Sequence, residues 1–306
     1  MSYRGLNVAA KLGIGKELAL QYAARGARLL LIARREALLQ KLTVECLIHP
    51  LCSQARFLAA DITIENEVHK AAQMAREVLG GCDTVVINAG IISVLTFEDV
   101  CKLDENETAD GETGEKTTTT PTTTTEMTTR LAQIVEQMFR VNVVAPIMIA
   151  KYFRTMAVES KGKFVVVSSV AGTMAAPTRS LYAATKHALN GFFNSFRIEV
   201  ARQGVAVCIC LPGSVATDLR ASAVDASSTT TTTAAAAASS YATNASVSSA
   251  SEGSKLSASD CARRIIHASD LRARETYMPS KYRLAFLLHC FFPSFIDTLA
   301  AKKYGF

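Results

Sequence analysis

The sequence predicts an α/β fold: a doubly wound, parallel sheet in a single domain spanning 1–306. Three observations carry this. Short apolar runs rich in β-branched and leucine side chains, such as residues 27–33 and 164–167, show no polar alternation, as strands covered on both faces do. Patterns of helical length lie between them, giving the strand–helix alternation from which parallel sheets are built. Two low-complexity tracts interrupt the chain of 306 residues. Without them roughly 240 residues remain, a normal size for one α/β domain.

Taken in order, the elements begin weakly. Residues 1–10 are too polar and too short for a convincing strand, so a degenerate first strand is expected. Gly13, Ile14 and Gly15 form a glycine turn, followed by a helical pattern over 16–25 that Gly26 closes. Residues 27–33 are a buried strand ended by Arg34 and Arg35, and a helix runs on to about Cys46. Residues 55–59 form a short strand delivering Asp61, and 62–79 an amphipathic helix with Thr63 at its N-cap. The strand at 83–87 ends in Asn88, Ala89 and Gly90. A long apolar helix from about Leu131 carries Asn142. The strand at 164–167 is followed by a helix holding Tyr182 and Lys186, and a further strand, 204–211, ends at Pro212 and Gly213. Ser259 and Asp260 cap a helix to about His267. Right-handed crossovers leave little choice of topology.

Residues 101–130 pass from Glu and Asp into threonine runs around Pro121, and 221–259 are dominated by Ala, Ser and Thr. Neither composition can build a packed core, so both are expected to be disordered insertions. Residues 281–306 form an apolar C-terminal segment, whose longest run, 284–292, contains His289 and is too short to span a bilayer. The N-terminus shows no apolar signal core. The net charge of +6 is scattered, with no block of like charges, so no nucleic-acid partner is expected. The eight cysteines include no C-x-x-C pair and no metal-ligand spacing, which predicts free thiols in a reducing compartment and no metal.

The chemistry concentrates between residues 165 and 186. Tyr182 and Lys186 stand four apart, on one face of a helix and one turn from each other. A cation beside a phenol favours its ionised form, so the tyrosine can exchange a proton with a carbonyl or alcohol oxygen. Ser169, at the end of the strand and thirteen residues before Tyr182, is placed to hydrogen-bond the same oxygen. This order, a buried strand, Ser-Ser, a small-residue loop, Tyr and then Lys, resembles the short-chain dehydrogenase/reductase family. The segment after Lys186 and the apolar tail are similar to its membrane-associated, hydroxysteroid-dehydrogenase-like branch.

The resemblance implies a Rossmann-type fold and assigns further residues. Asn142 matches the family's catalytic asparagine, which supports a water in the proton path to Lys186. The family's T-G-x-x-x-G-x-G turn falls on residues 8–15, where Gly13, Ile14 and Gly15 fit but Val8 and Ala9 stand for the threonine and first glycine. Such a turn cradles a pyrophosphate on backbone N–H groups. Arg34 and Arg35 follow the second strand with no acid at its tip, which suits the 2′-phosphate of NADP(H) rather than the ribose of NAD. Asp61 falls where the family contacts adenine, and Asn88-Ala89-Gly90 matches its N-A-G. Pro212, Gly213, Val215 and Thr217 match the P-G-x-x-x-T loop that holds the nicotinamide.

The expected function is an NADP(H)-dependent carbonyl reductase, or the reverse alcohol dehydrogenase. Tyr182 would be the acid or base, Lys186 would lower its pKa and hold the ribose, Ser169 would orient the substrate and Asn142 would complete the relay. The C-terminal segment suggests a lipophilic substrate and peripheral membrane contact, with a dimer or core helix as the equal alternative. The expected location is intracellular, at the endoplasmic reticulum surface or in the cytoplasm, with homo-oligomers common in the family. The weak first strand and Ala9 leave a second class open: a catalytically silent or truncated member acting as a binding or scaffold protein.

Overall fold

The computed structural model describes residues 4–8, 13–109, 129–220, 223–225 and 255–306. Seven parallel strands form one sheet: β1 (Arg4–Val8), β2 (Arg28–Ala33), β3 (Ala55–Ala59), β4 (Thr84–Ile87), β5 (Lys163–Val167), β6 (Ala206–Pro212) and β7 (Glu275–Met278), in the order β3-β2-β1-β4-β5-β6-β7. The order reverses between β1 and β4, and a cleft opens beyond the carboxyl ends of the strands at such a switch point.

The first strand departs from the sequence expectation. Arg4–Val8 pairs along its length with β2, Leu6 opposite Leu30, and on its other side with β4, Leu6 opposite Val85. Ladder hydrogen bonds on both flanks outweigh the polar composition of so short a segment. Val8 thus ends a formed strand, while Ala9 lies outside the described residues.

Helices cover both faces. On one lie α1 (Ile14–Ala23), α2 (Glu36–Leu47) and α8 (Ala258–Asp270), with Leu18, Leu39 and Ile265 fully buried. On the other lie α3 (Glu65–Leu79), α6 (Ala145–Glu159) and α7 (Ser180–Ala201), whose Phe153 and Phe193 pack with Phe164 of β5. The 30-residue helical stretch Arg130–Glu159 is long and apolar enough to cross a membrane, yet half of its most apolar window is buried inside the fold. It is a core element against the sheet, and it contains α5 (Arg130–Phe139), a π-turn (Arg140–Val144) and α6.

Several boundaries differ from expectation. Thr63 is not the cap of α3: Asp61 accepts hydrogen bonds from the Thr63 backbone and hydroxyl at 2.9 and 2.8 Å, and Ile64 takes the cap position. The stretch expected to be disordered from 101 is helical to Ala109, in α4 (Phe97–Ala109), because Glu, Leu and Lys sustain a helix before the threonines begin. Residues 110–128 lie outside the described residues, as do 226–254 of the second tract. Within that tract Leu256 bridges to Val215, and Ser257, not Ser259, caps α8 by accepting from Asp260 N at 3.0 Å. Strand β7 was hidden in the polar stretch E-T-Y-M. The C-terminal segment folds into two helices, α9 (Lys281–Phe291) and α10 (Pro293–Tyr304). All eight cysteines are free, with Cys208 and Cys210 buried in β6.

Candidate active site

Tyr182, Lys186, Ser169 and Asn142 converge at the carboxyl ends of β4 and β5. The first two come from the opening turns of α7, Ser169 from the turn after β5, and Asn142 from the π-turn. Asn142 is fully buried and clamps two elements together. Its Oδ1 accepts from Ile91 N at 2.9 Å, while its Nδ2 donates to Ile91 O at 2.9 Å and to Thr185 Oγ1 at 3.0 Å. Thr185 Oγ1 donates in turn to Tyr182 O at 2.8 Å. The π-turn widens the helix locally and turns an otherwise ordinary helical asparagine towards the loop after β4.

Burial dominates the electrostatics. It pushes the Tyr182 phenol up to about 12, opposed first by a hydrogen bond with Ser169 and then by the charge of Arg179. It pushes the Lys186 ammonium down to about 8. Lys186 Nζ donates to Val167 O at 3.3 Å and lies 5.6 Å from the centre of the Tyr182 ring. Ser169 Oγ accepts from Ala171 N at 3.1 Å, which leaves its own proton free to donate.

The glycines of the cleft are explained by close approach. Gly13 takes φ 60°, and a Cβ there would lie 2.8 Å from Thr217 Cγ2, so the P-G-x-x-x-T loop folds directly over the glycine turn. A Cβ on Gly90 would lie 3.3 Å from Asn142 Oδ1 and 3.5 Å from Lys186 Nζ. Ile14 and Gly15 open α1. Val215 is held by its bridge to Leu256, and Pro212 pairs with Met278.

The structure separates the paired arginines. Arg35 lines the cleft, whereas Arg34 reaches Asp61 at 4.0 Å. Asn88 and Gly90 line the cleft, while Ala89 packs against the core. Gly13, Ile14, Pro212, Gly213, Val215 and Thr217 line the same cavity as Ser169, Tyr182 and Lys186, and its volume is about 1050 Å³. Asp61, Arg34, Gly15 and Asn142 do not line this space.

Four contributors escape a reading of the sequence. Arg179 lines the cavity three residues before Tyr182, and Arg220 lies beyond Thr217. Tyr282 and Tyr304 reach in from the C-terminal helices. A Cβ on Gly213 would collide with Tyr282 Cε2, so α9 closes onto the 213–217 loop. The apolar character of 281–306 was legible, but nothing local indicated that the segment returns to the site. Among the described residues no cluster of metal-ligating side chains exists.

Residues 6–110 and 117–228 match the family model described as short chain dehydrogenase. The chain is 30% identical over 217 residues to the Hydroxysteroid 11-beta-dehydrogenase 1-like protein of Gallus gallus, covering 70% of this chain and 65% of that one, just under two thirds of the relative's length. The protein of that name from Xenopus tropicalis is 28% identical over 306 residues, covering 99% of this chain and 88% of that one. Among solved structures, a short chain dehydrogenase/reductase from Burkholderia phymatum in complex with NAD superposes with TM-score 0.73 at 18% identity, covering 94% of this chain and 92% of that one. An alcohol dehydrogenase from Thermococcus sibiricus complexed with 5-hydroxy-NADP gives TM-score 0.65 at 20% identity, covering 89% and 94%. These two likenesses concern the fold, and the Tyr182–Lys186 constellation lies inside the matched region: the chain belongs to the short chain dehydrogenase family, on its hydroxysteroid-dehydrogenase-like branch.

Proposed function

We propose that this chain is an NADP(H)-dependent oxidoreductase that interconverts a carbonyl and a secondary alcohol on a lipophilic substrate. The observation that carries the reading is the convergence of Ser169, Tyr182 and Lys186 in the cavity that Gly13 and Thr217 also line. The residues present fit a dinucleotide: Gly13 opens a helix N-terminus, Gly90 leaves room beside Lys186 Nζ, and Arg35 faces the cleft. When bound, the nicotinamide supplies or accepts the hydride.

The chain's own groups handle the proton. Tyr182 stays neutral at physiological pH and donates its phenolic proton to the carbonyl oxygen as charge develops there. Ser169 donates a second hydrogen bond to that oxygen. Lys186, protonated below about 8, stabilises the phenolate left behind. Asn142 spends both amide protons on Ile91 and Thr185, so it acts by fixing the loop after β4 against α7, with one lone pair of Oδ1 left to hold a water on the path to Lys186.

Arg35 is the proposed partner of the 2′-phosphate, since Arg34 is drawn towards Asp61. Fluorescence titration with NADPH and NADH tests the cofactor, and a screen of ketones and alcohols tests turnover. Saturable NADPH binding with a preference over NADH that Arg35→Ala removes supports the reading. Absence of saturable binding overturns it in favour of a catalytically silent binding protein.

The C-terminal helices supply the proposed membrane contact. Leu284, Phe291, Phe292 and Phe295 are 61%, 76%, 62% and 57% exposed on them, beside residues that line the cavity. An apolar surface at the mouth of the site suits delivery of a lipophilic substrate from a lipid surface, such as the endoplasmic reticulum inside the cell. Co-sedimentation with neutral phosphatidylcholine vesicles that falls for Phe291→Ser/Phe295→Ser supports this. A vesicle-independent dimer that those changes dissolve identifies a second copy as the cover instead.

A further inference from the structure

The substrate end of the cavity carries charge that the proposed reaction does not use. Arg179 lines the cavity at the N-cap of α7, three residues before Tyr182, and Arg220 lines it from the loop after Thr217. Arg179 Nε is buried without a hydrogen-bond partner, and its side chain forms no hydrogen bond or ion pair with any described residue. A buried guanidinium nitrogen without an acceptor is costly unless a ligand supplies one. The groups that face Arg179 are Arg220, Tyr182, Tyr304 and Asp225. The single acid among them is Asp225, whose Oδ2 accepts from Ser93 Oγ, Val94 N and Leu95 N, each at 2.8 Å, and whose Oδ1 is buried without a hydrogen-bond partner. Burial and the like charge of Arg220 both disfavour the charged form of Arg179, and the one carboxylate that opposes them, Asp225, is outnumbered by the two guanidinium groups.

The same cavity has apolar lining from Ile92, Met174, Leu219, Ile296 and Leu299, and one acid, Asp218, also lines it. Such a site suits a molecule with an apolar body and an anionic group. We infer that Arg179 and Arg220 are specificity-determining residues which select a substrate carrying an oxyanion, a carboxylate above all, on the same molecule as its carbonyl or alcohol. The guanidinium fork matches a carboxylate in two parallel hydrogen bonds, and pairing relieves both the missing partner and the mutual repulsion. This rests on the oxidoreductase reading for the carbonyl, but the anion site stands on its own geometry.

The test uses the full chain loaded with NADPH, so that Arg35 and Lys186 already face the cofactor. Matched aryl ketones are compared as free acid and as methyl ester, beginning with 4-acetylbenzoate, by calorimetric binding and by NADPH oxidation. The wild type is expected to favour the acid at least about tenfold in dissociation constant and in kcat/KM. Arg179→Met brings the acid-to-ester ratio to about one, Arg179→Lys retains part of the preference, and Arg220→Met, an exposed position that does not endanger folding, lowers it in part. Equal binding of acid and ester by the wild type, or a preference unchanged in both methionine variants, overturns the inference. Acid-selective binding with no NADPH oxidation leaves the anion site standing and sinks the oxidoreductase reading. Oxidation with no charge preference does the reverse.

Discussion

On the glycine-lined side of the cleft, where the cofactor is proposed to bind, the decisive positions are backbone. Gly13 holds a left-handed φ of 60° and Gly90 keeps a gap beside Lys186, while the 213–216 loop is tied by Gly213 N to Met278 O at 2.8 Å and Ala216 N to Leu256 O at 2.9 Å. On the catalytic side, the decisive positions are side chains held dry: Asn142 is 0%, Lys186 3% and Tyr182 7% exposed. The first kind of site costs conformational freedom, which glycine tolerates. The second costs desolvation, which pushes Tyr182 and Lys186 in opposite directions, each towards its neutral form. A fault on one side should therefore appear in binding, and a fault on the other in chemistry and in stability.

The largest expected effect separates chemistry from binding. Tyr182→Phe removes the proton donor and keeps the ring that packs over Lys186 Nζ. Turnover is expected to fall by about a thousandfold or more, while the NADPH dissociation constant changes by less than about threefold. Stopped-flow reduction of a ketone with a parallel fluorescence titration reads both. Substantial residual turnover would remove Tyr182 from its assigned role, and a matching loss of binding would dissolve the contrast between the two sides.

Lys186 sharpens the contrast through stability. A fall from 10.5 to about 8 corresponds to roughly 3 kcal/mol of net unfavourable burial of the charged form. The unfolded chain binds the proton more tightly than the native one. The penalty is therefore complete below about 8 and fades as pH rises from there towards 10.5. Lys186→Met is expected to stabilise the fold by about 3 kcal/mol at pH 7, to lose most of that gain near pH 10, and to abolish turnover. Thermal unfolding at the two pH values decides: a destabilised variant at pH 7 would show that the buried ammonium supports the fold instead of straining it.

The same division explains what was legible in the sequence. The catalytic side could be read because its chemistry needs particular side chains at fixed spacing, and Ser169, Tyr182 and Lys186 stand together as their spacing implied. The alternation of apolar strands and helices gave the sheet, because strands buried on both faces leave no other pattern. The cofactor side was harder. Arg4–Val8 is polar, and only its two neighbouring strands make it a strand. Arg34 and Arg35 are adjacent in sequence, yet a contact with Asp61 after the next strand separates their directions. Arg179 and Tyr282 were invisible for a related reason: each is an ordinary surface residue type until a distant loop or helix closes over it.

Gly13 carries the smallest of the expected effects and the most direct test of a site made by backbone. Two separate obstacles meet any side chain there. The backbone angles of φ 60° and ψ −132° cost an alanine about 1–3 kcal/mol, and its Cβ would meet Thr217 Cγ2 at 2.8 Å. Gly13→Ala is expected to weaken NADPH binding about tenfold, with kcat at saturating cofactor changed by less than about threefold. Thr217→Ser removes the obstructing methyl group while keeping the hydroxyl. If the close approach matters, Gly13→Ala/Thr217→Ser binds NADPH more tightly than Gly13→Ala alone and recovers about half of the lost free energy, leaving the φ strain as the remainder. A double variant no better than the single one would assign the whole effect to φ. A single variant that binds normally would show that the glycine turn does not shape this cofactor site, and the backbone side of the comparison would fail at its central residue.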